Sequence, residues 1–519
     1  MKKQLFFLVG VVVVVVVFGG ADEERKDAFL DTFGGEYGYR ESLNTSFDAF
    51  VSKELGGRLA GDTYLDWAAS ALYTESQIDE IAGDLKGTLY GNPHSLSASS
   101  TRSTEAVEAA RLQILEYLGA SPDEYEVIFT RSCTDSLRLV AETFPWRPGG
   151  EFKYLVQNHN SVLGIRDVAR ERGARASAVE PGDVEAWLAD LGGTEELSLF
   201  AYPGEENFAG EMFPMEWAAE VVARQTRWRA LVDVAKLAAT HPINLTKTPV
   251  DFATLSFYKL FGAPTGVGAL VARRATAEEL TKCYWGGGSV SLAGAGRAPE
   301  DDLRVLKSRI CERFEDGTVS FLGIAMLRHG FNALSRVGGP REIQKHVKTL
   351  ADYLDDRLRA LRHANGELLV VVYGPEDRRG STKGPVVNFN VRKSDGDLVS
   401  HVDVMEAAAK AGIHVRAGAE CNPGAAYDAL GLPPTALNHL ANDASLQGCG
   451  QGPAFVACPA SQLGAEVSFA SDPGASAWCA TPDLSVMVPT GSLRASIGYL
   501  STFQDVEALA AFLEAFKST

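Results

Sequence analysis

One lysine in the 519-residue chain stands where covalent chemistry with an aldehyde could be done. In A-T-L-S-F-Y-K-L-F-G-A-P-T-G-V-G-A-L a strand pattern runs into Ser256, Phe257, Tyr258 and Lys259, then into a glycine-rich turn and a second strand. A lysine held inside a sheet is desolvated. Its pKa falls and its amine can form a Schiff base, the arrangement of pyridoxal phosphate (PLP) enzymes. Taken alone, a lysine at a strand end is more often a surface side chain whose stem covers apolar neighbours. A second group gives it context. Asp233 closes the strand R-A-L-V-D, 26 residues upstream, where a carboxylate can pair with a protonated ring nitrogen and keep the ring an electron sink. A third group is F-T-R-S-C-T-D-S-L-R-L, a strand, a polar turn and a helix start. It presents the Ser132 and Thr134 hydroxyls with backbone N–H groups at a helix N-terminus, a setting for phosphate. Thr134 or Asp135 would equally serve as an ordinary helix cap.

The elements that must position these groups follow an α/β pattern. Strand-like runs at Asp123 to Phe129, Phe152 to Val156, Leu197 to Ala201, Ala230 to Asp233, Ala253 to Ser256 and Val267 to Ala272 are mostly separated by helix-length segments. Thr104 to Leu118 places Val107, Ala110, Ile114, Leu115 and Leu118 on one helical face. The alternation predicts a mostly parallel sheet covered on both faces, with ligands at its carboxyl edge. After about Phe321 a long helix followed by strands and helices suits a smaller α/β domain. The expected division is residues 1–21 as leader, 22–60 as N-terminal arm, 61–325 as large PLP-binding domain and 326–519 as small domain. A Gly/Pro/Ser-rich insertion at about 436–485 reads as a long loop.

Composition narrows the function classes. Hydrophobic residues make up 45% and charged residues 22%, the balance of a globular chain with a sizeable core. Sixty-seven acidic against 49 basic side chains give a net charge of −18, which repels a phosphate backbone and argues against nucleic acid as partner. Seven cysteines without C-x-x-C pairs form neither a zinc motif nor a disulfide framework and suggest a reducing compartment. No metal site is expected. The start of the chain points elsewhere: Lys2 and Lys3, an apolar run from Leu5 to Phe18, then Gly19, Gly20 and Ala21 have the grammar of a secretory signal or signal anchor. Localisation is left between secretory-pathway entry and the intracellular or organellar setting of the catalytic part.

Longer motifs carry a family resemblance from about Ala28 to the C-terminus. D-A-F-L-D-T-F-G-G-E-Y-G-Y-R, Y-L-D-W-A-A-S-A-L-Y, Y-G-N-P-H-S, V-I-F-T-R-S-C-T, L-V-A-E-T-F-P-W, N-H-N-S-V-L-G-I-R and the segment around Lys259 occur in family order. The chain resembles class V PLP-dependent aminotransferase-fold enzymes, and within them the cysteine-desulfurase-like N-terminal domain of molybdenum cofactor sulfurases. The resemblance implies a PLP-dependent transferase fold of type I, with Lys259 as Schiff-base lysine and Asp233 as partner of the ring nitrogen. It implies that His159 stacks on the ring, Asn207 lies near the ring hydroxyl, and Ser132, Thr134 and Ser256 bind the phosphate. Gly317 and Thr318 would reach the phosphate of a neighbouring subunit, which implies a homodimer, and Arg494 would grip the substrate carboxylate.

In the same family position as the reactive thiol stands Cys421, in V-R-A-G-A-E-C-N-P-G-A. The implied reaction takes sulfur from L-cysteine as a Cys421 persulfide, releases alanine, and passes the sulfur to an acceptor, either the molybdenum cofactor or an acceptor protein. Lys259 or His159 would shuttle protons. Such a thiol must reach the cofactor and swing outward, and Gly418, Pro423 and Gly424 favour a loop. An inert buried cysteine is the alternative. The chain departs from the family at Ala419 and Ala426, where cysteines are usual, and in the insertion, whose Cys449, Cys458 and Cys479 are too irregular for a metal or disulfide motif. The β-rich, cofactor-binding domain of full-length cofactor sulfurases has no counterpart before Thr519, so delivery to that cofactor would need a separate protein. The competing readings are another PLP enzyme (lyase, epimerase or transaminase) with Cys421 as bystander, and a non-catalytic relic.

Overall fold

The computed structural model describes residues 7–8, 11–12, 20–192, 194–375, 382–433, 436–437, 454–459 and 485–518. The leader lies almost wholly outside them, as do Cys449 and Cys479. Among the described residues no helix is long and apolar enough to cross a membrane.

Seven strands form the central sheet: β1 (Tyr125–Thr130), β2 (Glu151–Leu155), β3 (Arg175–Val179), β4 (Ser198–Pro203), β5 (Trp228–Asp233), β6 (Phe252–Ser256) and β7 (Gly268–Arg273). Their spatial order is β1-β7-β6-β5-β4-β2-β3. Only β7 runs antiparallel to its neighbours. β4 and β6 are buried at every residue, and β5 at all but Arg229, because helices cover both faces of a parallel sheet and leave no side for a polar stripe. β3 gave no strand signal. It is an edge strand whose sequence R-A-S-A-V buries only its last residue, so the apolar run that marked the others is missing. The helix expected from Thr104 starts earlier, at Ala98, because the Ser97 hydroxyl caps it by accepting from Ser100 N at 3.3 Å.

The register aligns the carboxyl ends. Pro203, Asp233 and Thr254 sit side by side across β4, β5 and β6, and Gly268 pairs with both Thr130 and Ser256. The residues that follow these strand ends therefore converge on one edge, where open α/β sheets hold ligands. Gly268 is required there: a Cβ at that position would lie 2.5 Å from the Ser132 carbonyl carbon, so any side chain would push the turn after β1 away from β6.

A second sheet contains β8 (Val370–Tyr373), β9 (Val386–Val391), β10 (Arg416–Gly418) and β11 (Ser492–Ser496) in the order β8-β9-β11-β10, antiparallel throughout. Within the 436–485 segment, Phe455–Pro459 pairs antiparallel with Ser485–Pro489, so part of what reads as loop from composition is a strand ladder. Position 325/326 falls inside one continuous helix, Phe321–Arg336. Phe331 of that helix packs 5.2 Å from the Phe261 ring and 6.2 Å from Phe257, which backs the turn carrying Lys259.

The N-terminal arm is tied down by a buried histidine. His346 is surrounded by the rings of Tyr37, Tyr39 and Phe47, at 5.1, 4.6 and 4.7 Å. Its Nδ1 accepts from Gly38 N at 3.2 Å, so the ring proton is on Nε2, which donates to Ser501 O at 2.9 Å. Burial pushes its pKa down to about 3. The unfolded chain, with an ordinary histidine near 6.5, then binds more protons than the folded one, so this stability is fully present above about pH 6.5 and is lost as pH falls toward 3. The urea midpoint should accordingly fall between pH 7 and 4.5, and His346→Gln should flatten part of that slope. His241 and His401, each pushed to about 4 mainly by burial, add to the slope, and Asp505, pushed up to about 6 by burial, opposes it. An unchanged slope in the variant would remove His346 from the account.

Candidate active site

Helix α1 (Cys133–Thr143) follows β1, and α2 (Asn160–Leu163) follows β2. After β6 and Phe257 the chain forms a single helical turn, α3 (Tyr258–Phe261), so Lys259 stands on a helix beyond the strand. It is half-buried rather than enclosed in the sheet, because the one-residue gap after Ser256 carries it past the covered strand. Its amine makes no hydrogen bond or ion pair with a described residue. Lys259 lines a cavity together with Ser132, Thr134, His159, Asn207, Asp233 and Ser256. Six residues singled out from sequence are thus brought to one place with it.

Asp233 is the last residue of β5. Its Oδ1 accepts from Ala235 N at 2.9 Å and from the Cys133 thiol at 3.3 Å, while Oδ2 has no hydrogen-bond partner among the described residues. Cys133 is a buried proton donor: burial, first, and the Asp233 charge beside it hold its pKa well above the ordinary thiol value. The thiol therefore holds the carboxylate in place, with Thr254 Oγ1 also 3.3 Å from it.

The polar end of the cavity is the start of α1. The Ser132 hydroxyl is the cap, accepting from Asp135 N at 3.2 Å, so neither Thr134 nor Asp135 has that task. Ser256 Oγ accepts from Cys133 N at 2.7 Å. Each of these two hydroxyls uses a lone pair on the backbone and donates its proton to no described residue. Thr134 Oγ1 lies 2.8 Å from Ser161 Oγ.

His159 caps α2 through its ring. Nδ1 accepts from Ser161 N at 3.1 Å and lies 3.0 Å from Ser161 Oγ. That bond places the proton of the neutral ring on Nε2. The pKa of His159 is lowered, chiefly by burial; the Lys259 and Arg494 cations add to this against the opposing pull of Asp233. A ring locked at one nitrogen has a fixed plane and a single exchangeable proton.

Arg494 and Cys421 are not among the residues lining the cavity; Arg494 reaches the Asn207 backbone from the second sheet, and Cys421 reaches the Asn160 backbone from the turn after β10. Arg494, central in β11, is 2% exposed. Its Nη1 donates to Asn207 O at 2.8 Å and lies 2.9 Å from Glu420 Oε2, while Nη2 donates to Asp66 Oδ1 at 3.0 Å. The arginine expected to await a carboxylate is therefore paired with two carboxylates of its own chain. Cys421 is exposed. Its loop is short, Ala419 to Asn422, and it is held: Asn207 Nδ2 donates to Glu420 O at 2.6 Å, Asn160 N to Cys421 O at 2.7 Å, and Asn422 Nδ2 to Glu206 Oε2 at 3.0 Å. Of the residues expected to loosen it, Gly418 ends β10, and Pro423 and Gly424 open the helix Pro423–Leu430. Gly424 is needed for close packing, since a Cβ there would overlap Val156 O.

Thr318 is not brought to the cavity of its own chain. It lies on an exposed turn beside Gly317, with Asn92 Nδ2 3.4 Å from its hydroxyl. Several site residues escaped the sequence reading. Lys236, three residues after Asp233, lines the cavity and lies 3.0 Å from Glu205 Oε1 in a buried ion pair whose angle is not that of a hydrogen bond. Burial lowers its pKa, partly offset by Glu205. Glu206 folds the turn that carries Asn207 by accepting from Phe208, Ala209 and Glu211 N at 2.6, 2.7 and 3.0 Å. For Lys236 and Ser161 the local signal was proximity to Asp233 and His159. Asp66 and Glu420 had none, because their partner is distant in sequence.

A model of the class-V aminotransferase family matches residues 63–436. The chain belongs to that family. It is 36% identical over 529 residues to the molybdenum cofactor sulfurase of Solanum lycopersicum, an alignment covering 95% of this chain and 60% of the relative. To the Bos taurus molybdenum cofactor sulfurase it is 37% identical over 478 residues, covering 88% and 50%. The chain thus spans about half to three fifths of the length of these relatives. Among solved structures it is similar to the cysteine desulfurase of Thermococcus onnurineus NA1, with a TM-score of 0.68, 20% identity, and 92% of this chain and 99% of that one covered. This class-V member has the type I fold of PLP-dependent enzymes.

Proposed function

We propose that this class-V family member is a PLP-dependent cysteine desulfurase, a molybdenum cofactor sulfurase-like sulfurtransferase that moves sulfur from L-cysteine to Cys421. The observation that carries the reading is the convergence at one sheet edge of a lysine amine, a carboxylate oxygen and two hydroxyl protons at a helix start, none of them bonded to a described residue. These groups fit PLP: Lys259 for the aldehyde carbon, Asp233 Oδ2 for the ring nitrogen, Ser132, Thr134 and Ser256 for the phosphate, and Asn207 near the ring hydroxyl. Bound there, the cofactor supplies an electron sink for bond breaking next to the substrate amine.

The chain's own residues do the rest. Arg494 orients the substrate through its carboxylate. Lys259 and the Nε2 side of His159 hold and return protons, and the locked His159 plane covers the ring. Cys421 lies on a turn whose backbone carbonyl accepts from Asn160 N, the neighbour of His159, and its thiol takes the sulfur. The overall step balances as L-cysteine plus the Cys421 thiol giving alanine plus the Cys421 persulfide. The carbon–sulfur bond breaks and a sulfur–sulfur bond forms, with no external oxidant. The persulfide then passes to an acceptor, which the similarity to molybdenum cofactor sulfurases suggests is that cofactor, with an acceptor protein as the other candidate. In a homodimer, Thr318 would complete the phosphate site of the second subunit.

The deciding experiment is turnover of L-cysteine with a reductant, following alanine and sulfide. Cys421→Ala should keep the cofactor absorbance band and lose turnover by about 10²-fold or more, the scale of removing a participant in the chemical step. Equal turnover in the variant would instead favour a class V lyase, epimerase or transaminase with Cys421 as bystander, a reading to which the tethers on its turn lend support.

A further inference from the structure

Glu420 has an unusual place for a carboxylate. Its side chain is 1% exposed, and Oε2 lies 2.9 Å from Arg494 Nη1. The pair is incompletely satisfied: Glu420 Oε1 and Arg494 Nε are both buried without a hydrogen-bond partner among the described residues. A planar carboxylate presented edge-on to the guanidinium would use donors that Glu420 leaves idle. The backbone is constrained as well. Glu420 and Cys421 are consecutive non-glycine residues at φ +56° and +57°, a left-handed conformation that side chains rarely adopt and that persists only where surrounding contacts over-determine it. The Glu420 to Arg494 ion pair is one of those contacts. A second cation stands beside it: Arg416, half exposed and held by Asp66 at 2.9 Å, has its Nε 4.0 Å from Glu420 Oε2.

We propose that Glu420 is a positioning residue that occupies, at Arg494, the place of the substrate carboxylate, and that its displacement by substrate releases the turn carrying Cys421. This rests on the desulfurase reading and deepens it. The displaced side chain turns to Arg416, so its charge stays paired. The thiol is thereby held back until an amino acid is bound, and sulfur is not accepted by a mobile cysteine in an empty site. Binding and release are linked reciprocally: whatever factor the closed turn takes from carboxylate affinity, a bound carboxylate returns as turn opening.

The test uses cofactor-loaded full-length protein and L-alanine, which carries the carboxylate but no sulfur, with L-alaninamide as the probe lacking the carboxylate. Iodoacetamide labelling of Cys421 is followed by peptide mass spectrometry, and alanine binding by equilibrium dialysis. Saturating L-alanine should raise the labelling rate by about 5-fold or more, the lower end of ordinary coupling between linked events, and L-alaninamide should not. In Glu420→Gln labelling should be fast without ligand and insensitive to it, and the Kd for L-alanine should fall by the same factor. Labelling of the wild-type protein that ignores bound L-alanine overturns the proposal, and this arm does not depend on any variant folding. If L-cysteine is turned over and L-alanine binds while labelling stays flat, the gating idea alone fails. If neither occurs, the desulfurase reading and this proposal fall together.

Discussion

Lys259→Ala is expected to lower L-cysteine turnover by at least about 10⁴-fold while leaving the protein folded. Proton transfer by a positioned side chain is by itself worth about 10²- to 10⁴-fold, and this substitution removes both a proton carrier and the point of cofactor attachment. The stability side of the expectation is equally specific. The amine makes no hydrogen bond or ion pair with a described residue, and the side chain is half-buried at a cavity wall, so its loss breaks no network among the described residues. The change in unfolding free energy should stay within about 1 kcal/mol, typical of substitutions away from buried networks. Alanine release and urea denaturation measured on one preparation separate the two effects. A variant that unfolds easily would mean that Lys259 is structural, and one that turns over normally would remove it from the chemistry.

Arg494→Ala carries the largest expected effect on stability. Its guanidinium is the cation between Asp66 and Glu420, and the Glu420 side chain is 1% exposed. Burial already raises the Glu420 pKa against the lowering pull of Arg494, so removing the arginine leaves the carboxyl group with only Arg416 to turn to, 4.0 Å away and already bound to Asp66. Breaking a buried pair by deleting one partner costs about 3 to 5 kcal/mol. Urea denaturation should show a loss of that size. Adding Glu420→Gln to Arg494→Ala should recover about 0.5 to 3 kcal/mol, because the stranded charge is gone. Additive losses would show that the two side chains do not act as a pair. Any surviving Arg494→Ala protein should also show a raised KM for L-cysteine.

The contrast between these two residues shows what a chain states locally. The eight residues from β6 through Phe257 and Tyr258 to Lys259, and the strand end at Asp233, are readable because a fully buried parallel strand must be a continuous apolar run and the polar residue that ends it must lie at the sheet edge. His159, Ser132 and Thr134 are readable on the same terms, as polar residues between a strand and a helix start. The edge strand β3 was illegible because a half-exposed strand needs no apolar run.

The amino-acid sequence by itself determined the α/β order, the family, and the residues at the strand ends, since strand burial, turn chemistry and helix capping are set within a few residues of each site. The tertiary structure alone decided which charges face one another. Asp66 reaches Arg494 across 428 positions because the segment at Asp66 runs beside β11, and Glu420 reaches it because β10 pairs with β11. It also decided that the turn at Cys421 is clamped, by Asn160, Asn207 and Glu206 from the other sheet. Sheet register and packing select such partners from hundreds of residues away, and no local periodicity records that choice.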